Sequence, residues 1–223
     1  MTSNDLTASR AAGAVHTVLL DADGVLQWPA DGWLEKWRPY AGDDLEGFVR
    51  QMFLAEQPAL TGAVTIQDCV ERVLRDRGHS GEELSRAVEE VLSAWAMIEI
   101  FEDAFALVDR VRAAGTRCCL ASNQQRFRRD IMVDLGYAQR FDRTFFSCDL
   151  GIAKPDPGYF EAVLADLGCG PDGVIFVDDR EDNVEAARSV GLTAFVHDTH
   201  ASADDRGLDD LARILREAGV PGV

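Results

Sequence analysis

A chain of 223 residues, 47% hydrophobic and 27% charged, is long enough for one sizeable core, or for a core with a smaller lobe attached. Its formal charge of −17 repels nucleic acid and anionic membranes, which sets both aside as partners; an anionic substrate would need a local cation or oriented amides. The five cysteines form no CxxC pair and no regular framework, so they read as small buried hydrophobes of a reducing compartment.

The first thirteen residues carry no long apolar run, and no later stretch is apolar enough to span a bilayer. A cytoplasmic protein with a loose N-terminus is expected. Val15 to Leu20 reads as a short buried strand. Three segments with helical spacing follow, "DDLEGFVRQMFLAEQ", "TIQDCVERVLRDRG" and "GEELSRAVEEVLSAWAMI", separated by Gly or Pro. They predict a small helical domain over residues 28–98, inserted into a core made of residues 1–27 and 99–223.

From residue 99 onward, helical and strand patterns alternate. The strands are "TRCCLAS", "TFFSC", "GVIFVDD" and "TAFVH", and the helices between them mostly end in Gly. Such alternation predicts an α/β fold with a doubly wound, Rossmann-like parallel sheet covered on both faces. Cys118 and Cys119, adjacent in one strand, should face opposite sides of it.

Open sheets of this kind bind ligands beyond the carboxyl ends of their strands. Asp21/Asp23, Ser122/Asn123 and Asp178/Asp179 stand at three such ends, and Lys154 follows a fourth strand. Residues two apart in extended backbone point the same way, so Asp21 and Asp23 can face one cavity. Two carboxylates ~4 Å apart repel by roughly 4 kcal/mol at an effective dielectric near 20. Four of them call for a cation, and oxygen-only ligands suit Mg²⁺. The Ser122 hydroxyl and the backbone N–H groups at the Ser122–Asn123 turn, with a helix N-terminus behind them, suit an anion. Together with Lys154 these are the parts for phosphoryl transfer through an aspartyl-phosphate.

In this order "DADGV", "SN", "KPDP" and "VDDREDN" resemble the four motifs of the haloacid dehalogenase-like (HAD) phosphohydrolase superfamily, across residues 21 to 183. The helical insert resembles the type I cap of its subfamily I. The resemblance implies that Asp21 is the nucleophile and Asp23 the general acid/base. It further implies that Ser122, Asn123 and Lys154 hold the phosphate and that Asp178 and Asp179 join Asp21 at Mg²⁺. The backbone carbonyl of Asp23 would also ligate the metal, and Asn183 would be a supporting hydrogen-bonder. True dehalogenases lack the second aspartate of the first motif, so Asp23 favours a phosphatase. Phosphonate-cleaving relatives use a cap lysine, and the insert's only lysine, Lys36, is not obviously placed for that role.

The expected activity is therefore Mg²⁺-dependent hydrolysis of a small phosphorylated metabolite, with sugar phosphates suggested by family analogy. A phosphomutase or another phosphotransferase keeps the same core residues. A non-catalytic phospho-ligand-binding or receiver-like module is the alternative of another class. Receivers are much shorter, and a degenerate homologue would normally have lost Asp21, Asp23, Lys154 or Asp179.

Three further groups read in two ways. Trp28, Trp33 and Trp37 either line a pocket or close the helical lobe onto the core, and aromatic residues are usually core. Arg126, Arg128 and Arg129 read as a solvated helix face sooner than as an anion site. His197 and His200 read as a surface loop, with no third metal ligand near in sequence.

Overall fold

The computed structural model describes residues 14–200 and 207–223. The expected loose N-terminus lies outside the described residues. In chain order the elements begin with β1 (Thr17–Leu20), β2 (Gln27–Pro29), α1 (Trp33–Ala41), α2 (Leu45–Leu60), α3 (Ile66–Asp76) and α4 (Gly81–Trp95). Next come β3 (Ile98–Ile100), α5 (Glu102–Ala113), β4 (Arg117–Ser122), α6 (Arg126–Asp134), α7 (Tyr137–Arg140) and β5 (Arg143–Phe146). The chain closes with α8 (Ser147–Leu150), α9 (Pro157–Leu167), β6 (Val174–Asp178), α10 (Glu181–Ser189), β7 (Thr193–Val196) and α11 (Leu208–Glu217).

Five parallel strands form one sheet in the order β5-β4-β1-β6-β7. β1 is central and buried at all four positions, as its unbroken apolar run requires. Successive residues feed opposite faces. Val18, Leu20, Cys118 and Leu120 join one core cluster, while Leu19, Cys119 and Ala121 join the other. The two adjacent cysteines do face apart, and all five cysteines are free thiols. This doubly wound sheet is the expected fold class.

Helices α1 to α4 share a separate core built from Trp37, Phe48, Met52, Leu74, Val91 and their neighbours. Trp37, Phe48, Met52 and Leu74 are at most 1% exposed; burying each contributes roughly 1.5–3 kcal/mol. α3 starts on a reciprocal capping box between Thr65 and Asp68, and α2 on the Asp44 side chain. Helix α1 and the two-stranded antiparallel ribbon β2–β3 were not read from the sequence. The ribbon pairs Gln27 with Ile100 and Pro29 with Ile98, at the two crossings between sheet and helical unit.

Candidate active site

The sheet delivers four segments to one edge. Asp21 follows β1, and its backbone N–H donates to Val177 O of β6 at 3.0 Å, continuing the ladder. Ser122 ends β4 and Asp178 ends β6, and both are buried. Lys154 arrives on the loop between α8 and α9, its side chain 1% exposed. The Nζ donates to Asp178 Oδ2 at 2.6 Å and to the Ala121 carbonyl at 2.7 Å. It also stands 3.0 Å from Asp21 Oδ1, an ion pair outside hydrogen-bond alignment.

Asp21, Asp178 and Asp179 each bring a carboxylate oxygen within 4.8 Å of the others. Their electrostatics follow from that crowding. Burial pushes Asp21 up to about 7; Lys154 pulls it down, while Asp178 and Asp23 add to the rise. Asp179 is raised to about 6, first by burial and then by Asp178. Burial works against the Lys154 ammonium, yet Asp178 and Asp21 outweigh it and hold its pKa above the ordinary value. One ammonium thus leaves this cluster short of positive charge. A close set of oxygen donors that resists full ionisation fits a hard divalent cation. Asp178 is the most engaged of the three. Besides Lys154 it accepts from Asn183 Nδ2 at 3.0 Å on both oxygens and from the Arg180 backbone N–H at 2.8 Å.

The loop after Asp21 is shaped for a close approach. Gly24 has φ +82°, and a Cβ there would lie 2.4 Å from Asp179 Oδ2. The Thr199 hydroxyl donates to the Gly24 carbonyl and ties down the turn.

Asp23 does not join the three-carboxylate cluster. Its Oδ1 accepts from Gln27 Nε2 at 2.9 Å and from Arg128 Nη2 at 2.6 Å, and its Oδ2 accepts from Gln124 Nε2 at 2.7 Å. The side chain therefore contributes nothing to a cation held by the other three. The Asn123 side chain has a structural use as well. It clamps the Lys154 peptide, donating to Lys154 O at 2.7 Å and accepting from Lys154 N at 2.9 Å. The side chain is engaged there, which leaves any anion to the backbone and to Ser122.

Gln27, Gln124 and the buried Glu56 were not picked out from sequence. Arg128 corrects the reading of a solvated helix face: its side chain is only 12% exposed and reaches Asp23. Arg129 pairs with Asp130 and Asp149, while Arg126 is exposed. His197 is a second correction. It is 2% exposed and pairs with Asp210 at 3.2 Å, so it belongs to the packing of α11 and not to the surface. Trp33 and Trp37 sit in the helical unit, where Trp37 meets Trp95 at 4.7 Å between ring centroids. Trp28 is 39% exposed, its ring edge-on to His200.

The sequence matches the haloacid dehalogenase-like hydrolase family over residues 15–191, which takes in the whole constellation. The chain belongs to this family. It is 28% identical over 209 residues to bifunctional epoxide hydrolase 2 of Rattus norvegicus, covering 83% of this chain and 37% of that protein. The chain thus spans little more than a third of that relative's length. It is also 28% identical over 206 residues to a phosphorylated carbohydrates phosphatase of Thermotoga maritima, covering 87% and 90%. Among solved structures it resembles a HAD-family enzyme of Bacteroides thetaiotaomicron, determined with magnesium and inorganic phosphate, with TM-score 0.67 and 19% identity over 86% and 98% of the two chains. That likeness shows the HAD fold. No helix among the described residues is long and apolar enough to cross a membrane.

Proposed function

We propose that this HAD-like hydrolase is a Mg²⁺-dependent phosphatase of small phosphorylated metabolites, working through a phosphoryl group carried on Asp21. The observation that carries the reading is Lys154. Its ammonium lies between Asp21 and Asp178, in a cluster whose third carboxylate, Asp179, completes an oxygen donor set. Kinship with the phosphorylated carbohydrates phosphatase, which aligns with 87% of the chain, supports it as well.

In this reading Asp21, Asp178 and Asp179 would hold Mg²⁺, with the Asp23 backbone carbonyl beside them. The ion would neutralise phosphoryl charge and keep the carboxylates ionised. An Asp21 oxygen attacks phosphorus, and the ester P–O bond breaks. Asp23 gives its proton to the departing alkoxide. It then takes a proton from water as that water attacks the phosphorylated Asp21. Inorganic phosphate leaves and the Asp21 carboxylate returns. Lys154 holds Asp21 in place and faces the phosphoryl oxygens; Ser122 and the backbone N–H groups after β4 bind the remaining ones. Asn183 fixes Asp178. The helical unit formed by residues 28–98 acts as the cap over this edge, and the leaving alcohol lies between the two.

Steady-state phosphate release, with and without Mg²⁺, tests the reading. Wild type should turn over phosphate esters, fall silent in excess EDTA and recover with Mg²⁺, less well with Ca²⁺, whose larger and looser coordination misplaces the nucleophile. Asp21→Asn should remain folded and inactive, because an amide is a poor nucleophile toward phosphorus. Near-wild-type turnover in that variant would remove Asp21 from the chemistry.

A further inference from the structure

The Asp23 carboxyl is gripped by three side chains from two distant parts of the chain. Arg128 Nη2 and Gln27 Nε2 both donate to Oδ1, at 2.6 and 2.9 Å, while Gln124 Nε2 donates to Oδ2 at 2.7 Å. Gln27 is fully buried, and its amide is fixed in turn. The Tyr137 hydroxyl donates to Gln27 Oε1, which leaves Nε2 to face Asp23. Arg128 is set by the start of α6, where its backbone N–H donates to the Gln125 side chain at 2.9 Å. Among the described residues, Asp23 is the one carboxylate within 4 Å of the Arg128 guanidinium. That side chain is 12% exposed and lies beside Trp33, Trp95 and Met97 of the helical unit.

Such a pair is a poor device for stability alone. A largely buried ion pair gains little over apolar side chains of the same size, because both ions give up water. Its consequence is chemical. A carboxyl group offers about four acceptor positions, two on each oxygen. Both positions on Oδ1 are filled, by Arg128 and Gln27, whereas Oδ2 accepts from Gln124 alone. A proton on Asp23 therefore belongs on Oδ2, with Oδ1 as the carbonyl oxygen that takes both donors.

We propose that Arg128 and Gln27 are positioning residues of the acid/base, holding Asp23 by Oδ1, away from the three-carboxylate cluster, so that Oδ2 is the oxygen that exchanges the proton. The inference rests on the phosphatase reading above and assigns residues to its proton transfer. As the ester P–O bond breaks, the Oδ2–H bond breaks with it and the alkoxide takes that proton to leave as the alcohol. Oδ2 then takes a proton from the water that attacks phosphorylated Asp21, and Asp23 returns to its starting form. Tyr137 acts one step further out, keeping the Gln27 amide from turning over.

The test compares kcat/KM of the full chain with Mg²⁺ on p-nitrophenyl, phenyl and benzyl phosphate. The three esters are similar in size and differ in how far the leaving oxygen needs a proton, least for p-nitrophenolate and most for the benzyl alkoxide. General acid–base catalysis contributes about 10²–10⁴-fold. Arg128→Met keeps the bulk and removes the donor; it should lose roughly tenfold or more of that on benzyl phosphate, and less than about threefold on p-nitrophenyl phosphate. Asp23→Asn should show the same order of losses with a wider spread. Arg128→Lys, whose ammonium can still donate to Oδ1, should fall between Arg128→Met and wild type. Tyr137→Phe should repeat the order of losses on a smaller scale. Equal losses on all three esters in folded Arg128→Met, or a loss carried by KM alone, overturn the inference and leave the phosphatase reading standing. Should a melting curve show that Arg128→Met does not fold, equal losses in both Arg128→Lys and Tyr137→Phe, or none in either, overturn it instead. No turnover of any of the three esters by folded wild type removes the phosphatase reading, and the inference with it.

Discussion

At the carboxyl edge of the sheet, Lys154, Asp21 and Asp178 are packed together almost out of reach of water, with the one ammonium set against both carboxylates and a main-chain carbonyl. In the helical unit Trp33, Trp37, Phe53 and Trp95 pack against one another instead, and the Trp37 indole N–H is turned to Val91 O. In the proposed phosphatase the first region handles the charge that any phosphate ester brings. The second is an apolar core that holds the helical unit together. A charged cluster in low dielectric has steep energetics, since each unpaired group carries its full desolvation cost. An apolar wall loses area gradually. Changes on the sheet side should therefore be large, and changes in the helical unit smaller.

The largest expected effect is at Lys154. Removing the ammonium leaves Asp21 and Asp178 facing each other without a cation, and breaking a buried pair in this way costs about 3–5 kcal/mol. Lys154→Ala should lose that much stability in urea melts without added metal, together with all turnover. Lys154→Arg should do nearly as badly. A planar guanidinium is wider than an ammonium and seeks a bidentate partner, whereas Nζ here serves Asp178, Asp21 and a main-chain carbonyl at once. An arginine variant with normal melting and normal activity would show that the sheet edge is less tightly specified than its geometry implies.

Glu56 is where the two regions overlap, a carboxyl group of helix α2 buried against Arg128, Trp95 and Gln125. Burial raises it from 4.5 to about 7, against the pull of Arg128. Below pH 4.5 both folded and unfolded forms carry the proton, and the buried group adds no charge penalty. Between 4.5 and 7 the unfolded chain releases its proton first, so stability falls as pH rises. Above 7 the penalty is constant, about 3 kcal/mol at roughly 1.4 kcal/mol per pH unit. Glu56→Gln should be more stable than wild type by about that amount at pH 8 and by less than about 1 kcal/mol at pH 5. Asp21 and Asp179 add slopes of the same sign, so the quantity to follow is the difference between variant and wild type at each pH. An unchanged difference from pH 5 to 8 would mean that Glu56 is ionised throughout.

What could be read from the sequence divides along the same line. β1, β4 and β6 are continuous apolar runs that end in polar residues, so the strands and the residues at their tips were legible together. The partners of Asp23 were not, because Gln124 and Arg128 lie 101 and 105 residues away and carry no local mark. Asn123 was legible as a residue of the site, but its grip on the Lys154 peptide depends on a loop 31 residues on. His197 reads as surface from "HDTH", and only the return of α11 brings Asp210 over it. Glu56 occupies what periodicity presents as a polar position of an amphipathic helix. Its burial comes from the sheet domain pressing on that face. The ribbon β2–β3 is three residues per strand, too short for an alternation to register.

The smallest of these effects, and the most local, belongs to Gly24. The residue stands in left-handed backbone at φ +82°, where an L side chain is strained, and the space its Cβ would need is held by Asp179 Oδ2 at 2.4 Å. The backbone term for a single residue forced to that conformation is about 1–2 kcal/mol. The contact is with a carboxylate that can rotate, so the fold can survive at the expense of where Asp179 points. Gly24→Ala should therefore cost about 1–2 kcal/mol of stability and weaken Mg²⁺ activation, with the half-saturating Mg²⁺ concentration rising. Metal titrations followed by activity and by thermal shift measure the two parts separately. If the variant keeps wild-type Mg²⁺ dependence while losing stability, Asp179 yields without consequence and the donor set lies elsewhere.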